Sequence, residues 1–316
     1  MLYILAQDDA GPSLKSILLM QGFSGLSLVS VFLLMALGLS IIFGQMHVIN
    51  MAHGEFLTLG AYVTVYFSKF CETHADNSPW MLKYYYPVAI VAAFAVAAVI
   101  GYVVEILLIK PLYKRPLDTL LATWGLSLIM QQAFRSLFGG RETSATLPDW
   151  LMGSWSPTDT IDIPINGLFL IGLCILLTFL VYLMLIKSRW GLRVRSTVLD
   201  RSMAGAVGIN TARTDRITFA IGCGLAGIAG AGFTTIGSVS PAAGSLYIVD
   251  TFMVVVFGGA GSLLGTIISA FTIGQAQSIL EFFTSGVLAK VITLLGVIFV
   301  IMLRPQGLIA SKVRSK

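Results

Sequence analysis

The chain has 316 residues, 56% hydrophobic and 11% charged, with a formal net charge of +5 and a mean hydropathy of +0.88. Soluble globular domains carry about 25% charged residues, so this chain cannot cover a water-facing surface; a disordered chain, a disulfide scaffold and a nucleic-acid binder are excluded with it. The composition describes an all-α polytopic membrane protein, a single transmembrane domain over residues 1–316.

From the N-terminus, Met1–Ser13 holds Asp8 and Asp9 but no Lys or Arg, unlike the basic start of a cleaved signal peptide. A crossing needs roughly 20 mainly apolar residues. On that measure nine spans are expected, at about 22–43, 46–68, 86–109, 119–138, 167–186, 217–236, 247–264, 265–283 and 286–303. The bounds on the count are eight and ten, because 46–68 and 119–138 are rich in polar groups and 247–283 is a nearly continuous glycine-rich stretch. Cys71, Cys174 and Cys223 have no metal-ligand spacing and read as buried apolar thiols.

Of the 20 Lys and Arg residues, 14 fall in the connections 110–118 and 187–216 and in the tail from Arg304. The alternate connections 69–85, 139–166 and 237–246 are poor in positive charge. Positive residues stay in the cytoplasm, which puts the N-terminus outside and the C-terminus inside. The 139–166 connection, with Glu142, Asp149, Asp159 and Asp162, two tryptophans and three prolines, is expected to be an external loop or short helix.

Four spans starting from outside, a connector and four starting from inside form an inverted-topology repeat. In such repeats, binding sites sit at interrupted helices in matching positions. The second element of each half is the irregular one: Gly44 to Glu55 in the first, Gly237 to Gly261 in the second. Gly222, Ala226 and Gly230, and again Gly261 and Gly265, have the spacing that lets membrane helices approach closely.

Polar groups at membrane depth face a cavity or the bundle interior. Asn50, His53 and Glu55 lie on one span, and Asn50 and His53 share a helical face; they either satisfy broken backbone or line a pathway. Trp124, Ser127 and Gln131 form a polar stripe on the fourth span. Thr234, Thr235, Asp250 and Thr251 flank an outer mouth, Gln275, Gln277 and Glu281 lie in the eighth span, and Glu105 reads as an interfacial charge. The pathway candidates are therefore Asn50, His53, Glu55, Trp124, Gln131, Thr234 and Asp250. No GxxxxGK[ST], HExxH or GxSxG occurs, so no catalytic residue, metal site or cofactor is expected in this chain, and no nucleophile–base pair suggests an intramembrane enzyme.

Within 187–216, Leu192, Ser196, Leu199, Met203 and Ala206 follow a 4-3-4-3 spacing, one face of a helix, and Gly208 sits where a C-cap belongs. Such a cytoplasmic helix over 191–209 lies on the membrane surface or fits a groove in a partner; its shallow face favours the groove.

Three runs carry a resemblance. Gly191-Leu192-Arg193-Val194-Arg195, with Asp200-Arg201, Ala204 and Gly208-Ile209-Asn210, resembles the coupling segment of ABC-importer permeases of the branched-chain amino acid type. Ile49-Asn50-Met51-Ala52-His53-Gly54-Glu55-Phe56 is similar to that family's INxAHGE signature, and Arg304-Pro305-Gln306-Gly307-Leu308 to its closing motif. The likeness covers nearly the whole chain from about residue 22. Within it, Leu121 to Gln132, Asp250-Thr251-Phe252 through Gly259 and Glu281-Phe282-Phe283 look most like the urea-transporter permease.

The resemblance implies the membrane subunit of an ATP-driven urea importer in the bacterial inner membrane. Its partners would be a second related permease, two ATP-binding subunits and an external solute-binding protein. Gly191, Arg193, Arg195, Asp200, Arg201, Ala204, Gly208 and Ile209 would engage the ATPase. Amides and hydroxyls such as Asn50, Gln131 and Thr234 suit neutral urea, whereas a branched-chain amino acid, the alternative substrate, wants charges that the spans offer sparingly. A stand-alone gradient-driven carrier or channel is the alternative of another class.

Overall fold

The computed structural model describes residues 14–46, 48–74, 79–113, 115–158, 161–304 and 306–309. Met1–Ser13 with Asp8 and Asp9, His47, Lys114, Asp159, Pro305 and the tail cations Lys312, Arg314 and Lys316 lie outside them. The helices are α1 (Leu14–Met46), α2 (His53–Thr73), α3 (Pro79–Val104), α4 (Lys110–Leu112), α5 (Pro116–Phe138), α6 (Ile165–Ile186), α7 (Arg189–Leu199), α8 (Arg201–Ala206), α9 (Thr211–Phe233), α10 (Ala243–Gly258), α11 (Leu263–Phe283) and α12 (Gly286–Leu303). A π-helical turn, Glu105–Ile109, joins α3 to α4.

Each of the nine expected spans coincides with a helix, with shifted ends. Among the described residues, six helices are long and apolar enough to cross a membrane: Ser16–Met46, Trp80–Leu112, Ile165–Ile186, Thr211–Phe233, Leu263–Phe283 and Gly286–Leu303. α2 and α5 carry too many polar groups, and α10, with 16 residues, rises only about 24 Å.

The ends follow local chemistry. Pro116 opens α5 at a position where its missing N–H costs nothing. The side chains of Asn210, Ser188 and Ser262 cap α9, α7 and α11 by accepting from Arg213 N, Gly191 N and Gly265 N. The second span does not begin as a helix at residue 46. Asn50 Oδ1 accepts from Ala52 N at 3.1 Å, an Asx turn that competes with helical bonding, so α2 starts only at His53. The 139–166 connection includes a short 3₁₀ helix, Asp149–Leu151. It holds a two-stranded antiparallel ribbon, β1 (Ser154–Thr158) and β2 (Ile161–Pro164), with Trp155 opposite Ile163.

Helices α1 and α9 form the buried centre; α1 packs on α9, α11, α6 and α10, and α9 on α3, α2 and α1. The contacts that do this are backbone against backbone. A Cβ on Gly38 would fall on the Gly222 carbonyl, one on Gly60 on the Gly227 carbonyl, and one on Gly230 on the Leu57 carbonyl. Exchanging α1, α2, α3 and α5 for α9, α10, α11 and α12 reproduces several of the main contacts. The α1–α11 pair mirrors α3–α9, α1–α10 mirrors α2–α9, and α2–α5 mirrors α10–α12. Gly54 and Gly244, each the second residue of its helix, meet across this exchange.

The connections sort to two ends of the bundle. Thr143 and Val239 exchange backbone bonds of 2.9 and 2.7 Å, Ser238 Oγ donates to Glu142, and Trp150 Nε1 donates to Lys83 O, so the 69–85, 139–166 and 237–246 connections gather together. At the other end, Glu105, Tyr113, Arg201 and Arg216 gather. Glu105 is fully buried there, accepting from Tyr113 Oη at 2.9 Å.

The glycine contacts predict an asymmetric mutational response. Gly230→Val should destabilise by at least ~2 kcal/mol through overpacking, whereas Gly296→Ala, with open space around it, should be neutral or stabilising; thermal unfolding of the two purified variants measures the difference.

Candidate functional site

The break before α2 and the face of α5 beside it build one polar seam. Glu55, on the first turn of α2, is 1% exposed. Its Oε1 accepts from Ser127 Oγ at 2.9 Å and from Gln131 Nε2 at 2.8 Å, both on α5. Its Oε2 has no partner. One turn earlier on α5, Thr123 Oγ1 accepts from Met51 N at 3.1 Å. Residues 123, 127 and 131 are four apart, so one stripe of α5 is committed to this seam.

Further along α2, the hydroxyls of Thr58 and Tyr62 are buried and unpartnered; the Tyr62 ring stacks on Phe138 at 4.3 Å and leans on Phe134. At the near end, Asn50 Nδ2 and His53 Nδ1 are likewise buried without partners. A buried polar atom left unpaired costs ~1–3 kcal/mol, and several lie along one helix and the break that opens it. Few contacts join α2 to α5 compared with those that join α2 to α9 or α3. Such a seam can accept hydrogen bonds and, through Glu55, a cation.

Of the pathway candidates, Asn50, Glu55 and Gln131 meet at this seam. His53 sits at its start but turns inward, its Nε2 3.2 Å from Met35 O of α1, pinning α2 to the central helix. Trp124 is 53% exposed on the outer face of α5. Thr234 donates to Ala231 O at 2.7 Å beside Tyr86 and ends α9. Asp250 lies on α10 and pairs with Lys290 of α12 at 2.8 Å. Thr123, Thr58 and Tyr62 were not among the candidates; the spacing of Thr123 to Ser127 and Gln131 is the signal that finds the first.

The 187–216 segment forms two helices and not one over 191–209. Asp200, with φ −155° and ψ 107°, ends α7 and caps α8, accepting from Ser202 N and Met203 N. The chain leaves α8 through Gly208 at φ +87°, with Ile209 N reaching back to Ala204 O, a Schellman close. Leu192, Leu199 and Met203 of the expected face are exposed, as is Arg193. Gly191 and Ala204 are buried, Arg195 donates to Leu185 O, and Arg201 pairs with Asp215.

Removing both donors to Glu55 should expose the cost of a buried carboxylate. Ser127→Ala with Gln131→Ala should lower stability by about 3–6 kcal/mol, since bonds to a charged group contribute ~1.5–3 kcal/mol each. Adding Glu55→Gln should recover part of that loss, and denaturation of the purified set reads the sign.

Residues 22–303 match the family described as branched-chain amino acid transport system / permease component. The chain is 27% identical over 297 residues to the high-affinity branched-chain amino acid transport system permease protein LivH of Escherichia coli K12, covering 92% of this chain and 95% of that one. It is 26% identical over 298 residues to BraD of Pseudomonas aeruginosa, a protein of the same description, with the same coverage. No solved structure matches. These relatives do not support the urea assignment suggested by 121–132, 250–259 and 281–283. Of the charges that the spans do hold, Glu55 is buried with only neutral donors around it, and Asp250 pairs with the partly exposed Lys290. The chain is a multi-pass protein of the cytoplasmic membrane and belongs to the branched-chain amino acid transport system permease-component family.

Proposed function

We propose that the chain is the membrane-spanning subunit of an ATP-driven importer of branched-chain amino acids, working with a second related permease, two ATP-binding subunits and an external solute-binding protein. The observation that carries the substrate assignment is the uncompensated Glu55 carboxylate in the α2–α5 seam, found in a chain of this permease family. An α-amino acid presents an ammonium group, and a buried anion with one free oxygen is its natural acceptor; urea presents no cation. Asn50, Gln131 and Tyr62 supply neutral hydrogen-bonding groups along the same path.

Nine crossings with the N-terminus outside fit the two sets of gathered connections, since the set holding Arg201, Arg213 and Arg216 is the positively charged one. The exchange pattern of contacts supports an inverted repeat, with the α2 and α10 ends meeting at Gly54 and Gly244. Closure of the ATP-binding subunits would press on α7 and α8, whose Leu192, Leu199 and Met203 are exposed, and would rock the bundle between outward- and inward-open states. Trp124 on the outer face of α5, and Thr234 and Asp250 at the other end of the path, are secondary contacts in this scheme. ATP is hydrolysed by the partners, and no cofactor acts in this chain.

Cells lacking the gene should lose uptake of labelled leucine and keep uptake of labelled urea. Loss of urea uptake alone overturns the substrate assignment, and transport by the purified chain alone in liposomes overturns the importer. In complemented cells, Glu55→Gln should cut leucine uptake about tenfold, the equivalent of ~1.4 kcal/mol, at unchanged membrane abundance.

A further inference from the structure

The cytoplasmic segment is anchored to two different helices by two different chemistries. Every polar anchor of α7 goes to the end of α6. Ser188 Oγ donates to Met184 O at 2.5 Å and accepts from Gly191 N at 3.0 Å. The Arg195 guanidinium donates to Leu185 O, and a Cβ on Gly191 would fall on the carbonyls of Met184 and Leu185. Packing is less exclusive, since α7 also touches α1 and α9.

The polar anchor of α8 goes to α9. Arg201 of α8 pairs with Asp215, which is fully buried. Its guanidinium also lies over the Tyr113 ring, 5.3 Å from the centroid. The neighbouring acid, Glu105, has its own arginine, Arg216 at 3.8 Å. Asp215 therefore depends on Arg201 for its counter-charge. A carboxylate at such a depth is strongly destabilised when its partner is withdrawn, so α8 cannot move away from α9 without drawing α9 along. Between the two anchors, extended backbone at Asp200 interrupts the helix.

Helix α9 in turn touches α2 through Gly227 against Gly60 and Gly230 against Leu57, on the helix that carries Glu55. We infer that the segment is a divided lever, and that Arg201 is a positioning residue through which a push on α8 reaches α9 and the α2–α5 seam. This rests on the reading that ATP-binding subunits dock on this segment.

The test uses the complete importer complex in proteoliposomes loaded with ATP, and reads solute accumulated per ATP hydrolysed. Arg201→Gln should lower that ratio roughly tenfold, the size of an ordinary coupling between sites, while ATP hydrolysis continues; Arg201→Lys, which keeps the charge, should hold it within twofold or so. Arg201→Gln with Asp215→Asn removes the unpaired buried charge and should restore complex yield but not the ratio, which separates transmission from folding. A wild-type ratio in Arg201→Gln, or in the double variant, overturns the lever. Failure of the wild-type complex to accumulate solute with ATP instead overturns the importer reading on which it rests.

Discussion

Close backbone contact at glycine is the constraint on which the rest of this molecule depends. Lipid gives helices no hydrophobic reason to associate, so stability comes from van der Waals contact and internal hydrogen bonds. Here α9 carries small residues along most of its length, and α1, α2 and α3 close on it until carbonyls occupy the space a methyl group would need, as at Gly38–Gly222, Gly60–Gly227 and Leu57–Gly230. A bundle knitted at this distance has little freedom to absorb side-chain changes. Its central contacts are rigid backbone and not flexible side chains.

That rigidity explains where irregular backbone is tolerated. Non-helical chain inside a membrane survives only where protein or a polar cavity satisfies it. The break at 48–52 lies against α5, where Thr123 accepts from Met51 N and Asn50 folds back on Ala52 N. Having used its own side chains to stabilise the break, the segment turns Glu55 onto Ser127 and Gln131 and leaves one carboxylate oxygen free. The loosely packed α5 contrasts with the tight centre. One side of α2 is thus fixed by glycine against α9, and the other is polar and incompletely paired.

Much of this was legible in residue spacing. The Gly222-Ala226-Gly230 face, the close after α8 at Gly208 and the irregular stretch before Glu55 depend on local or single-helix patterns, which sequence carries directly. The misplaced features depend on register or on distance along the chain. Trp124 and Thr123 are neighbours in sequence but about 100° apart around a helix, so a one-residue error in choosing the stripe exchanges an exposed tryptophan for a buried threonine. The β1–β2 ribbon is short and its strands carry two prolines, Pro157 and Pro164, which argue against strand in a local reading. The pairing of Arg201 with Asp215 and of Glu105 with Arg216 is set by helices meeting at the end of the bundle, and no periodicity records it.

The charges of this chain mislead when counted and inform when placed. Scarcity of charge in the spans suggested a neutral solute, yet the few buried acids are not equivalent. Glu105, Asp215 and Asp250 each face a basic side chain, at Arg216, Arg201 and Lys290. Among the described residues, Glu55 is the buried acid with only neutral hydrogen-bond donors around it. A buried anion without a counter-charge is costly to keep, and this is why the proposed pathway places the solute's ammonium group there. The paired acids tie one helix to another, and the unpaired one is held by neutral donors of α5 alone.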